Sequence, residues 1–135
     1  MATREQTVHA FHAAMDIHRN EPLTVDLLRF RQRLMAEETR EMVDDVDKLC
    51  ALIETGATPT AQDIAPLLKE LADIQYVLSG FAVTFGLPLE NAFIRVHQSN
   101  MSKLVDGKPL KRPDGKVLKG PNYRPPEMED LINSG

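Results

Sequence analysis

Two acidic clusters carry the chemistry that the sequence offers: Glu37-Glu38-x-x-Glu41 and Glu70-x-x-Asp73. At ~100° per residue, Glu38, Glu41 and Asp45 share one helical stripe with Leu27, Leu34, Met35, Met42, Leu49, Leu52 and Ile53. Arg29, Arg33, Arg40, Asp44 and Asp47 take the opposite, solvated face, and Glu37 falls at the edge of the stripe. Glu70 lies inside a second stripe, made by Leu67, Leu71, Ile74, Val77, Leu78, Phe81 and Phe85, with Asp73 at its edge. Carboxylates therefore stand where an amphipathic helix puts leucine. An ionised carboxylate taken out of water without a partner costs several kcal/mol. Like charges ~5 Å apart add about 3 kcal/mol of repulsion at an effective dielectric of about 20. Neither stripe has a Lys or Arg at its centre. A hard divalent cation relieves both costs, and all-oxygen ligation points to Mg²⁺ or Mn²⁺. A single acidic pair at helical spacing is usually a wetted flank. Two that both face inward favour the metal.

The elements that must position these groups are helices. Thr3-x-x-Gln6 is a capping box for a first helix carrying Val8, Phe11 and Met15 on one face, and Asn20-Glu21-Pro22 breaks it. Thr24 caps a second helix that runs to about Thr55, where Gly56 suits a left-handed cap. Some thirty residues span about 45 Å, longer than one small bundle needs, so this helix is kinked or its ends pack on another subunit. The third helix tolerates Pro66 near its start and stops at Gly86. Pro88 opens a fourth, with Leu89, Phe93, Val96 and Leu104 in a stripe that also holds Asn100, with Lys103 at its side. From Val105 the pattern turns to Gly, Pro and basic residues, with turn signals at Asp106-Gly107 and Asp114-Gly115, and Glu127 to Ile132 add a terminal helical turn. The expected fold is all-α: one domain, a four-helix bundle over about 3–104 and an extended or hairpin-like basic tail over 105–135.

Composition sets limits. At 135 residues with 42% hydrophobic and 27% charged residues, the chain is one ordinary globular domain, and 5% aromatics without Trp imply an aliphatic core. A net charge of −4 argues against a nucleic-acid polymer as partner. Cys50 is the only cysteine, so no internal disulfide forms, and it is expected to pack as a small hydrophobe. No apolar run approaches the ~20 residues of a membrane span, so no membrane partner is expected and the cytoplasm is the default location.

Asn100 is either a satisfied core amide or a ligand contact, and Lys103 one turn on favours a phosphate or sugar. The tail cations Lys108, Lys111, Arg112, Lys116, Lys119 and Arg124 either stay solvated or fold over a polyanionic substrate. His9, His12 and His18 lack the His-Glu-x-x-His zinc pattern. Phe11 and His12 are candidates for lining a base pocket, with core packing as the other role for Phe11. No glycine-rich phosphate cradle occurs, so metals and side chains must hold any phosphates.

The segments EETREM, KELADIQYVL, SNMSKL and KGPNYRPP resemble the all-α nucleoside triphosphate pyrophosphohydrolase superfamily, which includes MazG, dimeric dUTPases and phosphoribosyl-ATP pyrophosphohydrolase. The resemblance covers about residues 24–126 and is nearest to stand-alone MazG-like enzymes with dUTPase-like activity. It implies Mg²⁺-dependent cleavage of a nucleoside triphosphate between the α and β phosphates, giving monophosphate and pyrophosphate. It also implies Glu38, Glu41, Glu70 and Asp73 as metal ligands, and Glu37, with Glu38 sharing the role, as the group holding the attacking water. Asn100, Lys103, Lys119, Arg124, Phe11 and His12 are the candidate substrate contacts, and a homo-oligomer, dimer or tetramer, is expected. The implied substrate is dUTP or another non-standard nucleotide. Phosphoribosyl-ATP ranks second, because that enzyme usually has histidine after the tyrosine of the second motif, where this chain has Val77. A helical dimerisation or adaptor module is the non-enzyme alternative.

Overall fold

Capping chemistry sets the helix boundaries. In the computed structural model, which describes residues 1–133, the chain is all-α, with α1 Arg4–Ala14, α2 Val25–Glu54, α3 Ala61–Phe85, α4 Leu89–Met101 and α5 Glu129–Asn133. Thr3 and Gln6 close a reciprocal capping box on α1, and Thr60 and Asp63 close another on α3. Thr24 accepts a 3.3 Å hydrogen bond from the Leu27 amide to start α2. At the end of α3, Gly86 is left-handed at φ 64°, and a Cβ there would come within 2.6 Å of Asn20 Oδ1. The Asn20 and Glu21 amides donate to Val83 O and Thr84 O at 3.1 and 2.7 Å, so the break after α1 docks on the C-terminal end of α3.

The chain divides into two compact units, Met1–Leu87 and Pro88–Gly135. In the first, α3 packs on both α1 and α2. Its buried apolar side chains, Val8, Ala82, Val83 and Phe85, gather around the C-terminal half of α3. The core is aliphatic there but smaller than the stripes imply. Leu34, Met35, Met42, Leu49, Leu67 and Ile74 are half-buried, and Leu68 and Leu71 are 68% and 47% exposed. Polar groups fill much of the remainder: Thr84 Oγ1 donates to Gly80 O, and Ser79 donates to Glu5 Oε2, which ties α3 to α1. Cys50, expected to pack inside, is exposed, because it stands ~100° round α2 from Leu49 and so leaves the stripe.

In the second unit α4 groups with the tail, and it ends at Met101 instead of continuing to Leu104. The tail is hairpin-like: Val105 bridges Lys108 around Asp106-Gly107, both at positive φ, and Lys111 bridges Val117. Arg95 forks onto the Asp130 carboxylate and also donates to Glu127 O, fastening the last helical turn to α4. Among the described residues no single helix is long and apolar enough to cross a membrane.

Candidate active site

The packing of α2 on α3 brings three of the four expected ligands together. One carboxylate oxygen each from Glu38, Glu41 and Glu70 lies within 4.8 Å of the others. Ligands on opposite sides of Mg²⁺, at ~2.1 Å each, stand about 4.2 Å apart, so a small closure suffices. Ca²⁺ at ~2.3–2.6 Å also fits the spacing but asks for about six to eight oxygens, more than three side chains supply. Glu70 is 3% exposed and Glu38 half-buried, whereas Glu41 lies at the solvent edge. The site is thus closed on the α3 side and open on the other.

Its electrostatics call for a cation. Glu70 Oε1 and Glu38 Oε2 are buried without a hydrogen-bond partner. The hydrogen bond with Glu38, then burial, then Glu41, push the Glu70 pKa up from 4.5 to about 7. With all three groups ionised, two desolvated oxygens have neither donor nor counter-charge. A proton supplies one remedy and a divalent cation the stronger one. The residues therefore fit a hard cation, and Glu38, Glu41 and Glu70 are the ones that would hold it.

Asp73 does not join them. Lys69, one turn earlier on α3, holds its carboxylate at 2.6 Å, and that hydrogen bond raises the Lys69 pKa. The sequence reading found no cation in the stripe centre, and Lys69 reaches Asp73 from the exposed flank. Glu37 is exposed and outside the three-carboxylate group, and Asp45, half-buried, is outside it too. His12 is buried instead of lining an open pocket: its Nδ1 donates to His18 O at 2.8 Å, and burial lowers its pKa. Phe11 is 38% exposed and meets Tyr76 edge-on at 5.6 Å.

Sequence reasoning missed Arg31. It is 5% exposed, with Nε unpartnered and its pKa lowered by desolvation. Its Nη1 and His12 Nε2 would stand 3.1 and 3.3 Å from a Cβ at Gly80, so only glycine fits beneath them. The signal was the seven-residue spacing Arg31–Glu38–Asp45, which keeps one helix face.

The remaining candidates, Asn100, Lys103, Lys119 and Arg124, belong to the second unit. A Cβ at Gly120 would meet Val105 Cγ2 at 2.6 Å and Lys103 O at 3.0 Å, so the tail folds tightly onto the end of α4. Lys119 Nζ sits 4.7 Å from the Tyr123 ring centroid. Ser99 and Ser102 both hydrogen-bond the Arg124 backbone. The tail is an ordered arm, not a solvated one.

A family model described as phosphoribosyl-ATP pyrophosphohydrolase matches residues 8–100. The chain belongs to this family. Phosphoribosyl-ATP pyrophosphohydrolases are hydrolases acting on phosphoric anhydrides, within the nucleoside triphosphate pyrophosphohydrolase superfamily. The match takes in α2, α3 and nearly all of α4, and hence all three converging carboxylates. It also moves forward the phosphoribosyl-ATP reading that Val77 had placed second. A search of curated proteins finds none that matches.

Proposed function

We propose that the chain is a Mg²⁺-dependent pyrophosphohydrolase that cleaves a nucleotide triphosphate between its α and β phosphates, releasing pyrophosphate. The convergence of Glu38, Glu41 and Glu70, with two buried oxygens lacking any partner, carries this reading. A bound divalent cation neutralises charge that grows on phosphate oxygens and lowers the pKa of water. The chain's own carboxylates orient it: Glu70 anchors from the buried side, while Glu41 leaves the solvent side open to substrate. Glu37, exposed one residue before Glu38, is placed to hold the attacking water and take its proton. Lys103, Lys119 and Arg124 contribute affinity for the phosphates, and Asn100 contributes a polar contact.

The family match supports phosphoribosyl-ATP as the substrate. Val77, half-buried after Tyr76, favours a second reading, dUTP or another non-standard (d)NTP in nucleotide-pool house-cleaning. Exposed apolar residues on α2, α3 and α4 support a homo-oligomer. One assay tests the reaction: pyrophosphate release with Mg²⁺ from phosphoribosyl-ATP, dUTP and the common triphosphates. Pyrophosphate as first product, abolished in E70Q, is the expected result. Orthophosphate as first product, or full activity in E70Q, rejects the proposal.

A further inference from the structure

Arg124 is held by an arrangement whose only visible purpose is to fix one peptide unit. Ser99, on α4 and 6% exposed, donates its hydroxyl to Arg124 O at 2.7 Å. Ser102, one turn on, accepts from the Arg124 amide at 2.9 Å while donating to Ser99 O at 2.6 Å. Both backbone polar groups of one residue are thus satisfied by two side chains three residues apart on a helix. Two further contacts bring the chain to this point. The Tyr123 amide closes a turn onto Gly120 O at 3.2 Å, and Gly120 lies against Lys103 O so closely that a side chain there would clash. The side chain of Arg124 then enters a cleft of about 660 Å³ lined with Arg95, Gln98, Ser99 and Glu127. Arg95 is committed to Asp130, which leaves Arg124 as the cleft's cation with no ion pair among the described residues.

We infer that Ser99 and Ser102 are positioning residues: they clamp the Arg124 peptide so that its guanidinium is pre-organised for a polyphosphate. This deepens the functional reading given above and rests on it. An arginine on a free tail loses side-chain and backbone freedom when it meets an anion. One whose peptide is already fixed loses less, and the difference appears as affinity. The clamp acts on substrate binding and leaves the chemical step alone, so its removal raises KM without lowering kcat.

The test uses the full chain with Mg²⁺ and whichever of phosphoribosyl-ATP or dUTP it turns over. S99A and S102A are expected to raise KM by about tenfold each with kcat unchanged within about twofold, the pattern of lost uniform binding. S99T and S102T, which keep the hydroxyl, are expected to restore KM. In the R124A background S99A is expected to add nothing, because the serines act through that arginine. Hydrogen exchange supplies a readout independent of activity: in S102A the Arg124 amide loses protection while α4 keeps its own. Normal KM in both alanine variants, additive losses with R124A, or unchanged exchange at Arg124 overturns the inference. Failure of the functional reading looks different: the unmodified chain then releases no pyrophosphate from any nucleotide.

Discussion

Lys69 Nζ lies 2.6 Å from Asp73 Oδ2, so the two charged residues nearest Glu70 on α3 neutralise each other. The pair divides the four acids into a trio and a bystander. E38Q, E41Q and E70Q are expected to weaken Mn²⁺ binding by about 100-fold or more, beyond the ~10–100-fold typical of outer-shell changes, and D73N to stay within that range. Titration followed by calorimetry or Mn²⁺ paramagnetic resonance checks this. Equal losses in all four variants would mean that Asp73 leaves Lys69 to become a ligand.

Glu70 makes metal-free stability fall as pH rises. Its folded pKa of about 7 lies above the ordinary 4.5, so the folded chain binds more protons across that window. The stabilisation from its protonated form is complete below 4.5 and lost as pH passes about 7. Urea unfolding in chelator at a series of pH values should show the decline, and E70Q should flatten it. A metal-free stability curve identical in the two proteins would refute the assignment.

His12 acts in the opposite sense. Burial lowers its pKa from 6.5, with a backbone hydrogen bond from His18 opposing and Arg31 adding to the shift. The unfolded chain therefore takes up the proton first, and stability falls as pH drops below 6.5. H12N, with an amide able to donate to His18 O, should blunt this acid sensitivity. Unfolding midpoints that shift with pH identically in both proteins would exclude His12 as the source.

G86A tests the docking of Asn20 on α3. The added methyl meets left-handed backbone and Asn20 Oδ1 together, so a loss of about 1–3 kcal/mol is expected by chemical denaturation. A change under about 0.5 kcal/mol, the usual range at an indifferent surface position, would show that the loop yields at no cost.

The helices were legible because their boundaries are local. Thr3, Thr24, Thr60 and Gly86 each satisfy orphan backbone groups within one turn, and that chemistry is written in adjacent residues. Glu38, Glu41 and Glu70 were legible because a carboxylate in an apolar stripe contradicts its surroundings. The fate of Asp73 was not, since a lysine outside the stripe can reach an acid at its edge. Arg31, His12 and Gly80 required knowing how α1 crosses α3, and the Ser99–Ser102 clamp required knowing where a tail twenty-odd residues away returns. Side-chain-to-backbone bonds across such distances leave no periodicity to read.

The two turns of the tail also determine how the protein ages. Aspartate followed by glycine can lose water to its neighbour's amide nitrogen and reopen as isoaspartate. Asp114 is restrained from this, because Arg112 and the Lys116 amide hold its two carboxylate oxygens at 2.6 and 3.1 Å. Asp106, at φ 50° before Gly107, has no such clasp among the described residues. Peptide maps of stored protein should therefore find isoaspartate at 106 before 114. The reverse order would mean that the Arg112 clasp opens faster than the chemistry proceeds. A lengthened backbone at 106 would sit next to Val105, against which Gly120 packs. The ageing of one exposed turn would thus first loosen the arm, while the carboxylates on α2 and α3 stayed intact.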